Sequence, residues 1–591
     1  MGMAQDARSF DVVIVQATPG GIMAAIAASR GGASVLLLER SEHLGGLPAN
    51  GLGATDIGTR GATEGLFGEF VRRIHAHYVQ TYGPDSQQVK DSTGGLHFEP
   101  SVAERVFEQM LAEHPRITVL RQRQFDADAA NVTLDDGRLV RAKVTNRVTG
   151  EAEWVAAKVF IDASYEGDLA AAAGAPFRTR REGKAEHGEP LAGRVYKQWH
   201  TPPHELGEGS TGEGDDTIQA YNYRLCLTSD PAQRVPIEKP AGYDRAEYAS
   251  LVEDVRLDRW TNAGGRRGNE LALDGIGRVV NMVRLPNGKT DANNQHGSFL
   301  STDLPEENYP WPTADWAWRD RYAERLRAYT LGLLYFVQND PELPADFRAR
   351  CRAWGLSRTE YADNGHFPRQ VYVREGRRIE GEHLFTAHDA LPTTPGGRPP
   401  LHATSITASH YALDSHAHRK REPGRVHLDG FLSHPTAPYT VPYGVIVPKK
   451  VEGLLTPVPV SGTHIGFSTL RMEPCWMALG QAAGVAAAQS IRTDTPLRRL
   501  PIEALQAELI RQGAVLIYFR DVTPAHPHYA AIQYWGLRGL LPEWDARPDA
   551  ALTPEQSAAW LAASGLDLDL PTTLTRGQAL QRLHDAAATA R

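Results

Sequence analysis

The stretch Asp11-Val12-Val13-Ile14-Val15-Gln16-Ala17-Thr18-Pro19-Gly20-Gly21-Ile22 decides the fold, together with the Ala-rich run behind it and Ser34-Val35-Leu36-Leu37-Leu38-Glu39-Arg40. It reads as a buried strand, a turn, a helix and a second buried strand ending in an acid. That is the opening unit of a doubly wound α/β fold that binds a dinucleotide.

A helix that starts directly after a glycine-rich turn aims unpaired N–H groups and the positive end of its dipole at the turn, which suits a pyrophosphate. Gly20 and Gly21 leave room for close approach, and Gln16, Thr18 and Pro19 complete the turn. Glu39 stands 18 residues beyond Gly21, near the spacing expected of an acid that accepts from a ribose and disfavours a 2′-phosphate; Arg40 follows it. The frame from 16 to 21 keeps only the last glycine of Gly-x-Gly-x-x-Gly. The expected ligand is FAD.

Four segments further along support a flavin site. His43-Leu44-Gly45-Gly46-Leu47-Pro48-Ala49-Asn50-Gly51-Leu52-Gly53-Ala54-Thr55-Asp56 is a glycine-dense loop that lets backbone approach a flat ring. A helix begins at Glu99-Pro100-Ser101. Lys158 to Leu169 is a buried strand breaking at a polar turn that holds Ala163, Ser164 and Asp168. The segment His464 to Gly484 ends in a helix of small residues.

With those residues the chain resembles the FAD-dependent oxidoreductase family, some of whose members are labelled xanthan lyase. The resemblance runs from about residue 10 to the end. Its most specific parts are Ala17-Thr18-Pro19-Gly20-Gly21, His43-Leu44-Gly45-Gly46, Phe160-Ile161-Asp162-Ala163, Tyr372-Val373-Arg374-Glu375, and Arg471-Met472-Glu473-Pro474 leading to Gly480-Gln481. Similar proteins carry glycine where this chain has Gln16, and Glu-Pro-His where it has Glu99-Pro100-Ser101. The resemblance implies a Rossmann-like FAD domain contacted by Gln16, Thr18, Pro19, Gly20, Gly21, Glu39, Arg40, Gly45, Gly46, Asn50, Gly51, Leu52, Ala163, Ser164, Asp168, Arg471, Met472 and Gln481.

At 591 residues the chain is too long for one core, and roughly 150 residues per domain suggests two to four units. The formal net charge of -8, with both signs interspersed, gives no basic footprint for nucleic acid or an anionic membrane. Cys226, Cys351 and Cys475 are too few and too dispersed for a disulfide framework or a cysteine metal site. No apolar window reaches membrane-spanning length and the first ten residues lack a secretory pattern, so a cytoplasmic location is expected.

The expected architecture is a discontinuous FAD-binding domain (8–180 and 441–495), an inserted α+β substrate domain (181–440) and a small helical C-terminal cap (496–591). Within the first part, Ile117-Thr118-Val119-Leu120 reads as a parallel strand, and Asn131 to Val155 as an antiparallel flap turning at Asp135-Asp136-Gly137. The segment around His526 to Gln556 is similar to a single S-layer-homology-like unit; one copy without neighbours reads as a cap.

Flavin chemistry needs a C–H held against the ring, a base for the departing proton and positive charge beside the pyrimidine end. His464 is the candidate base and Arg471 the charge that stabilises reduced flavin. Arg374 and Arg378 share one side if their segment is helical, where they grip a carboxylate or hydroxyls. His410, with Asp414, His416 and His418 behind it, is a second base candidate; these residues share no face that would converge on a metal, so none is expected. His43 invites a covalent flavin link, Asn293, Asn294 and Asp303 a substrate contact, and the four aromatics of Tyr309 to Trp318 sugar stacking or a packing corner.

The reading is an FAD-dependent dehydrogenase or oxidase acting on an alcohol group of a small polar substrate, with a sugar, glycoside or polyol favoured. Oxygen or another external acceptor takes the electrons, since no second dinucleotide motif is present for NAD(P)H. The alternatives are flavin-assisted elimination on a carbohydrate, and a carbohydrate-binding protein whose FAD site has decayed.

Overall fold

The computed structural model describes residues 7–197, 205–261 and 275–589. Its centre is the sheet that the opening motif begins. Strands β1 (Arg8–Val15), β2 (Val35–Leu38) and β3 (Ile117–Leu120) run parallel in the order β3-β2-β1. Strands β4 (Arg123–Gln124), β5 (Val132–Asp135) and β6 (Arg138–Asn146) form the antiparallel flap, and β7 (Ala152–Asp162) returns parallel to β1, with Val13 opposite Phe160. Beyond the flap, the far half of β7 pairs in parallel with Leu454–Leu455, so a segment almost three hundred residues later re-enters the sheet. Val12, Val13 and Ile14 are wholly buried, as a strand covered on both faces requires.

Helix α1 (Pro19–Arg30) starts at the capping residue Thr18, whose Oγ1 accepts from Gly21 N at 3.1 Å and donates to the Ala163 carbonyl at 2.8 Å. One hydroxyl thus fixes the helix start and ties it to the end of β7. Pro19 occupies the first turn, where its missing N–H costs nothing. Every residue of α1 except Arg30 is buried, because the helix lies between the sheet and the helix Glu473–Thr493. Small residues make that contact possible: a Cβ on Gly480 would stand 2.0 Å from the Gly20 carbonyl oxygen, and one on Gly484 2.2 Å from that of Ala24. The two backbones touch, which explains the Ala and Gly content of both helices.

The insertion carries its own five-stranded antiparallel sheet, built from Arg234–Val235, Gly355–Ser357, Leu225–Thr228, Lys289–Asn294 and Val280–Leu285 in that order. The helix Trp316–Asn339, capped by Asp315, packs with it into the same apolar core. The aromatic cluster is a packing corner: Trp311 is buried against Tyr221 and Tyr322, Trp318 stacks on Tyr322, and Trp316 lies 4.0 Å from the Arg40 guanidinium. The C-terminal helices Ile502–Arg511, Tyr529–Leu537, Pro554–Ser564 and Arg576–Thr589 share the core that begins at Val12. Ala408 N donates to the Val515 carbonyl, and the Gln533 amide oxygen accepts from Leu516 and Ile517 N–H. Among the described residues no helix is long and apolar enough to cross a membrane.

Candidate functional site

Three layers converge where the carboxyl ends of β1 and β7 meet the insertion. The first is the turn before α1. Gln16 has φ 74°, the left-handed region that an L-residue enters at a cost of about 1–2 kcal/mol. Gln16 therefore holds the conformation that a glycine would supply, and its carbonyl sits 2.2 Å from where a Cβ on Gly21 would be. The Gln16 Oε1 is buried, and no group among the described residues satisfies it. Glu39 is buried at the end of β2, with Oε2 accepting from Ala17 N at 3.1 Å and Oε1 from Ser41 N at 2.8 Å. Burial raises its carboxyl above the usual range against these donors, and each oxygen keeps a lone pair for a hydroxyl.

The second layer is the loop that follows. Gly45, Gly46 and Gly51 all have positive φ. A Cβ on Gly46 would meet the Tyr165 hydroxyl at 2.4 Å and Pro19 at 2.8 Å, so the loop folds directly over the turn. A Cβ on Gly51 would stand 1.8 Å from the Arg224 carbonyl oxygen, which seats the loop on the insertion. Asn50 braces it, donating to the Gly46 carbonyl at 2.8 Å and accepting from Arg369 N at 3.1 Å, and Leu52 is core. Tyr165 donates to Glu473 Oε1 at 2.6 Å and accepts from Leu47 N. Glu473 Oε2 has no partner among the described residues, and burial pushes this carboxyl up to about 8, so it carries its proton at neutral pH.

The third layer is a cleft of interlocked charges. Arg374 pairs with Asp303 at 2.9 Å, Asp303 meets His416 Nδ1 at 2.8 Å, and His416 Nε2 lies 3.6 Å from Asp414. Asp414 pairs with Arg471 at 2.7 Å, and Arg471 donates to the Tyr372 hydroxyl at 3.0 Å. Arg224, Arg374 and Arg471 all lie within 6 Å of the Tyr372 ring centre. Asp291 joins the layers, accepting from Arg224 Nε at 2.8 Å and from Ala54 N at 3.0 Å. Asp56, His296, Tyr411 and Asp414 are only half-buried and give the cleft its open side. Burial raises the Asp56 carboxyl despite Arg224, with Asp291 and Asp414 adding to the shift, and its nearest partner is the Tyr411 hydroxyl at 3.2 Å. Burial, with His416, lowers His296 to about 4 and keeps it neutral.

The sequence profile of the FAD dependent oxidoreductase family matches residues 11–509. The chain belongs to that family. FAD is its cofactor. No curated protein matches the chain. Among solved structures it is similar to THI4 from Thermovibrio ammonificans, at 16% identity over 29% of this chain and 66% of that one, with a TM-score of 0.20. The flavin-dependent monooxygenase PieE, solved with FAD and substrate, is similar at 17% identity over 30% and 34%, TM-score 0.20. The glycerol-3-phosphate dehydrogenase from Bacillus halodurans, complexed with FAD, is similar at 10% identity over 33% and 44%, TM-score 0.20. The chain spans less than two thirds of the length of each of these proteins.

The residues present fit the family's cofactor. The capped helix start, the backbone-only surface of Gly20, Gly45 and Gly46, and Glu39 at the end of β2 suit a pyrophosphate and a ribose. The amide oxygen of Gln16, at the turn, and the protonated Glu473, beside Tyr165 and the glycine loop, add two buried polar groups left unsatisfied among the described residues. Other residues expected at the cofactor have partners within the chain. Arg40 pairs with Asp320 at 2.7 Å and with Gln124. Asp168 is held between Arg319 and Arg377. Ser164 donates to Asp162 at 2.6 Å. Gln481 accepts from Leu66 N at 2.9 Å and so caps the helix Leu66–Tyr82, while Met472 is a buried residue at the start of the helix Glu473–Thr493.

The expected catalytic residues separate. Arg471 lies in the cleft. His464 is fully buried, with Nδ1 2.7 Å from Glu375 and Nε2 3.2 Å from His418 and 3.1 Å from Ser415, so the chain's own groups occupy both ring nitrogens. Arg378 joins that network through Glu182 and Glu375. The helical premise for Arg374 and Arg378 does not hold: only Arg378–Ile379 is regular, as a short strand, and the two arginines serve different clusters. His410 is half-buried beside Gly58, bonded to Thr59 at 2.7 Å. His43 is held by Glu104 at 2.8 Å and Asp363 at 3.2 Å. Asn293 receives the Asn222 amide and Asn294 lies 3.3 Å from Arg374. Arg224, Asp291 and His296 were not singled out from the sequence, and Asp56 and Tyr372 stood only inside quoted motifs with no role assigned, because the partners of each come from distant segments.

Proposed function

We propose that the chain oxidises the alcohol group of a small polar substrate held in the Asp56–Asp414 cleft. The observation that carries this reading is the convergence of the glycine loop, through Ala54 and Asp56, with the charged insertion residues and Arg471. Bound FAD supplies the hydride acceptor. Asp56, with its carboxyl raised by burial and open to the cleft, is assigned as the base that takes the hydroxyl proton, and Tyr411 orients it. Arg471, locked by Asp414 and Tyr372, would supply positive charge to a reduced flavin ring bound beside the cleft. His464 and Arg378 act behind the cleft as positioning residues, through Ser415 beside Asp414 and through Glu375. The aromatic cluster that favoured a sugar is a packing corner around buried Trp311 and Tyr322, so the proposed substrate is small and polar without preference for a sugar. Oxygen or another external acceptor completes the cycle.

The test is anaerobic mixing of the holoprotein with a panel of primary and secondary alcohols, hydroxy acids and polyols, following loss of visible flavin absorbance. Bleaching by at least one alcohol, restored by air, is expected, with Asp56→Asn slowing it by ~10²–10⁴ while the flavin spectrum stays unchanged. Bleaching at the wild-type rate in Asp56→Asn removes the assigned base.

A further inference from the structure

Outside the cleft, one cluster brings metal-ligating side chains from three positions of the chain onto a single point. His383 Nε2 lies 3.3 Å from Asp389 Oδ1, and His402 Nε2 lies 2.9 Å from the same oxygen. All three atoms lie within 4.8 Å of one another, and the two rings stand 76° apart at 5.0 Å. We propose that His383, Asp389 and His402 bind one divalent transition-metal ion, with zinc the best match.

Ligands about 2.0–2.1 Å from a tetrahedral zinc are ~3.3 Å from each other, so the two nitrogen-to-oxygen separations need a change of only a few tenths of an ångström. The carboxylate is already turned for the task. Its other oxygen, Oδ2, accepts from Thr386 N at 2.7 Å and Thr386 Oγ1 at 2.9 Å, which leaves Oδ1 facing both imidazoles. That is the outer support expected of a carboxylate ligand. The histidines are anchored by backbone, His383 N to the Gly444 carbonyl at 3.1 Å and His402 N to Thr440 Oγ1 at 3.0 Å.

The chain alone satisfies this arrangement poorly. His402 Nε2 is buried and, though close to Oδ1, lies outside hydrogen-bonding alignment with it. Two rings that direct the same nitrogen at one carboxylate oxygen must both carry a proton there unless a cation takes the protons' place. His383 is the more exposed of the two histidines, with 32% of its side chain open against 17% for His402, so a water completing the coordination would enter from its side. Two imidazoles and one carboxylate suit zinc rather than calcium or magnesium, which prefer all-oxygen sites.

The ion would act as a staple. Asp389 belongs to the short helix Ala387–Ala390, next to Phe385, whose carbonyl accepts from Thr463 N at 2.9 Å. His402 lies beyond an irregular stretch containing Thr393-Thr394-Pro395-Gly396-Gly397. Binding closes that stretch against the support of the helix His464–Leu470, which ends at Arg471.

The test uses chelator-treated holoprotein titrated with zinc chloride by calorimetry, with metal content by mass spectrometry and unfolding by calorimetric melting. One zinc per chain and a raised unfolding midpoint are expected for the wild type. His383→Ala/His402→Ala and Asp389→Asn should each lose that equivalent and the shift. His402→Gln, which keeps a hydrogen-bonding side chain, decides the case if the double variant does not fold, and flavin content reports folding in each. Absence of stoichiometric zinc in the wild type overturns the proposal, as does equal uptake by the folded variants.

Discussion

Gln16→Gly separates two effects that the structure places at one residue. The φ of 74° strains Gln16 whether or not the cofactor is present, so glycine relieves the apoprotein of about 1 kcal/mol, allowing for its greater freedom when unfolded. The amide counts only in the complex. Its buried end has no partner among the described residues, and a half-turn about the last bond offers N–H to a phosphate oxygen. A hydrogen bond to a charged group contributes about 1.5–3 kcal/mol, so its loss should weaken FAD binding by ~10–150-fold. The two changes have opposite signs: the apoprotein melts slightly higher and the FAD dissociation constant rises. Titration of deflavinated protein with FAD by fluorescence quenching, beside apoprotein melting curves, reads both. FAD binding as tight as wild type, or tighter, refutes the assignment of the amide to the pyrophosphate.

Glu473→Gln should stabilise the protein increasingly as pH rises. Because its folded carboxyl titrates at about 8, against a usual value of 4.5, the wild type loses stability between those values and levels off above, and the variant lacks this loss. Melting both proteins from pH 5 to pH 9 tests this, and a constant difference across the range contradicts it. Gly480→Ala should cost about 1–3 kcal/mol and release FAD, because its Cβ has only 2.0 Å to the Gly20 carbonyl oxygen. Denaturant unfolding with flavin fluorescence checks both effects. Acid precipitation should leave FAD in the supernatant, since Glu104 and Asp363 hold both nitrogens of the His43 ring; colour in the pellet contradicts that arrangement.

The sheet was legible because its signals are local. An unbroken apolar run, a glycine turn and an acid at the end of the next strand occupy the contiguous chain from Asp11 to Glu39, and the flap announces itself by its Asp136-Gly137 turn. Even Gln16, which breaks the glycine motif as a string of letters, keeps the motif's backbone. The cleft was not legible. Asp56, Arg224, Asp291, Tyr372 and Asp414 sit in five segments with no shared spacing, and only the docking of the insertion on the glycine loop brings them together. Aromatic density left two readings open for the same reason, since the composition of Tyr309 to Trp318 does not say which side its rings face, and the fold makes it a packing corner. His383, Asp389 and His402 are separated by unequal stretches that match no metal-ligand repeat, so their convergence appears only in the fold.

The central claim, that the turn before α1 holds FAD, is tested most directly by the visible absorption spectrum of the purified protein after exhaustive gel filtration and reconstitution with FAD. One equivalent of FAD per chain is expected, lost in Gly480→Ala. A colourless protein that takes up no added FAD would contradict the account.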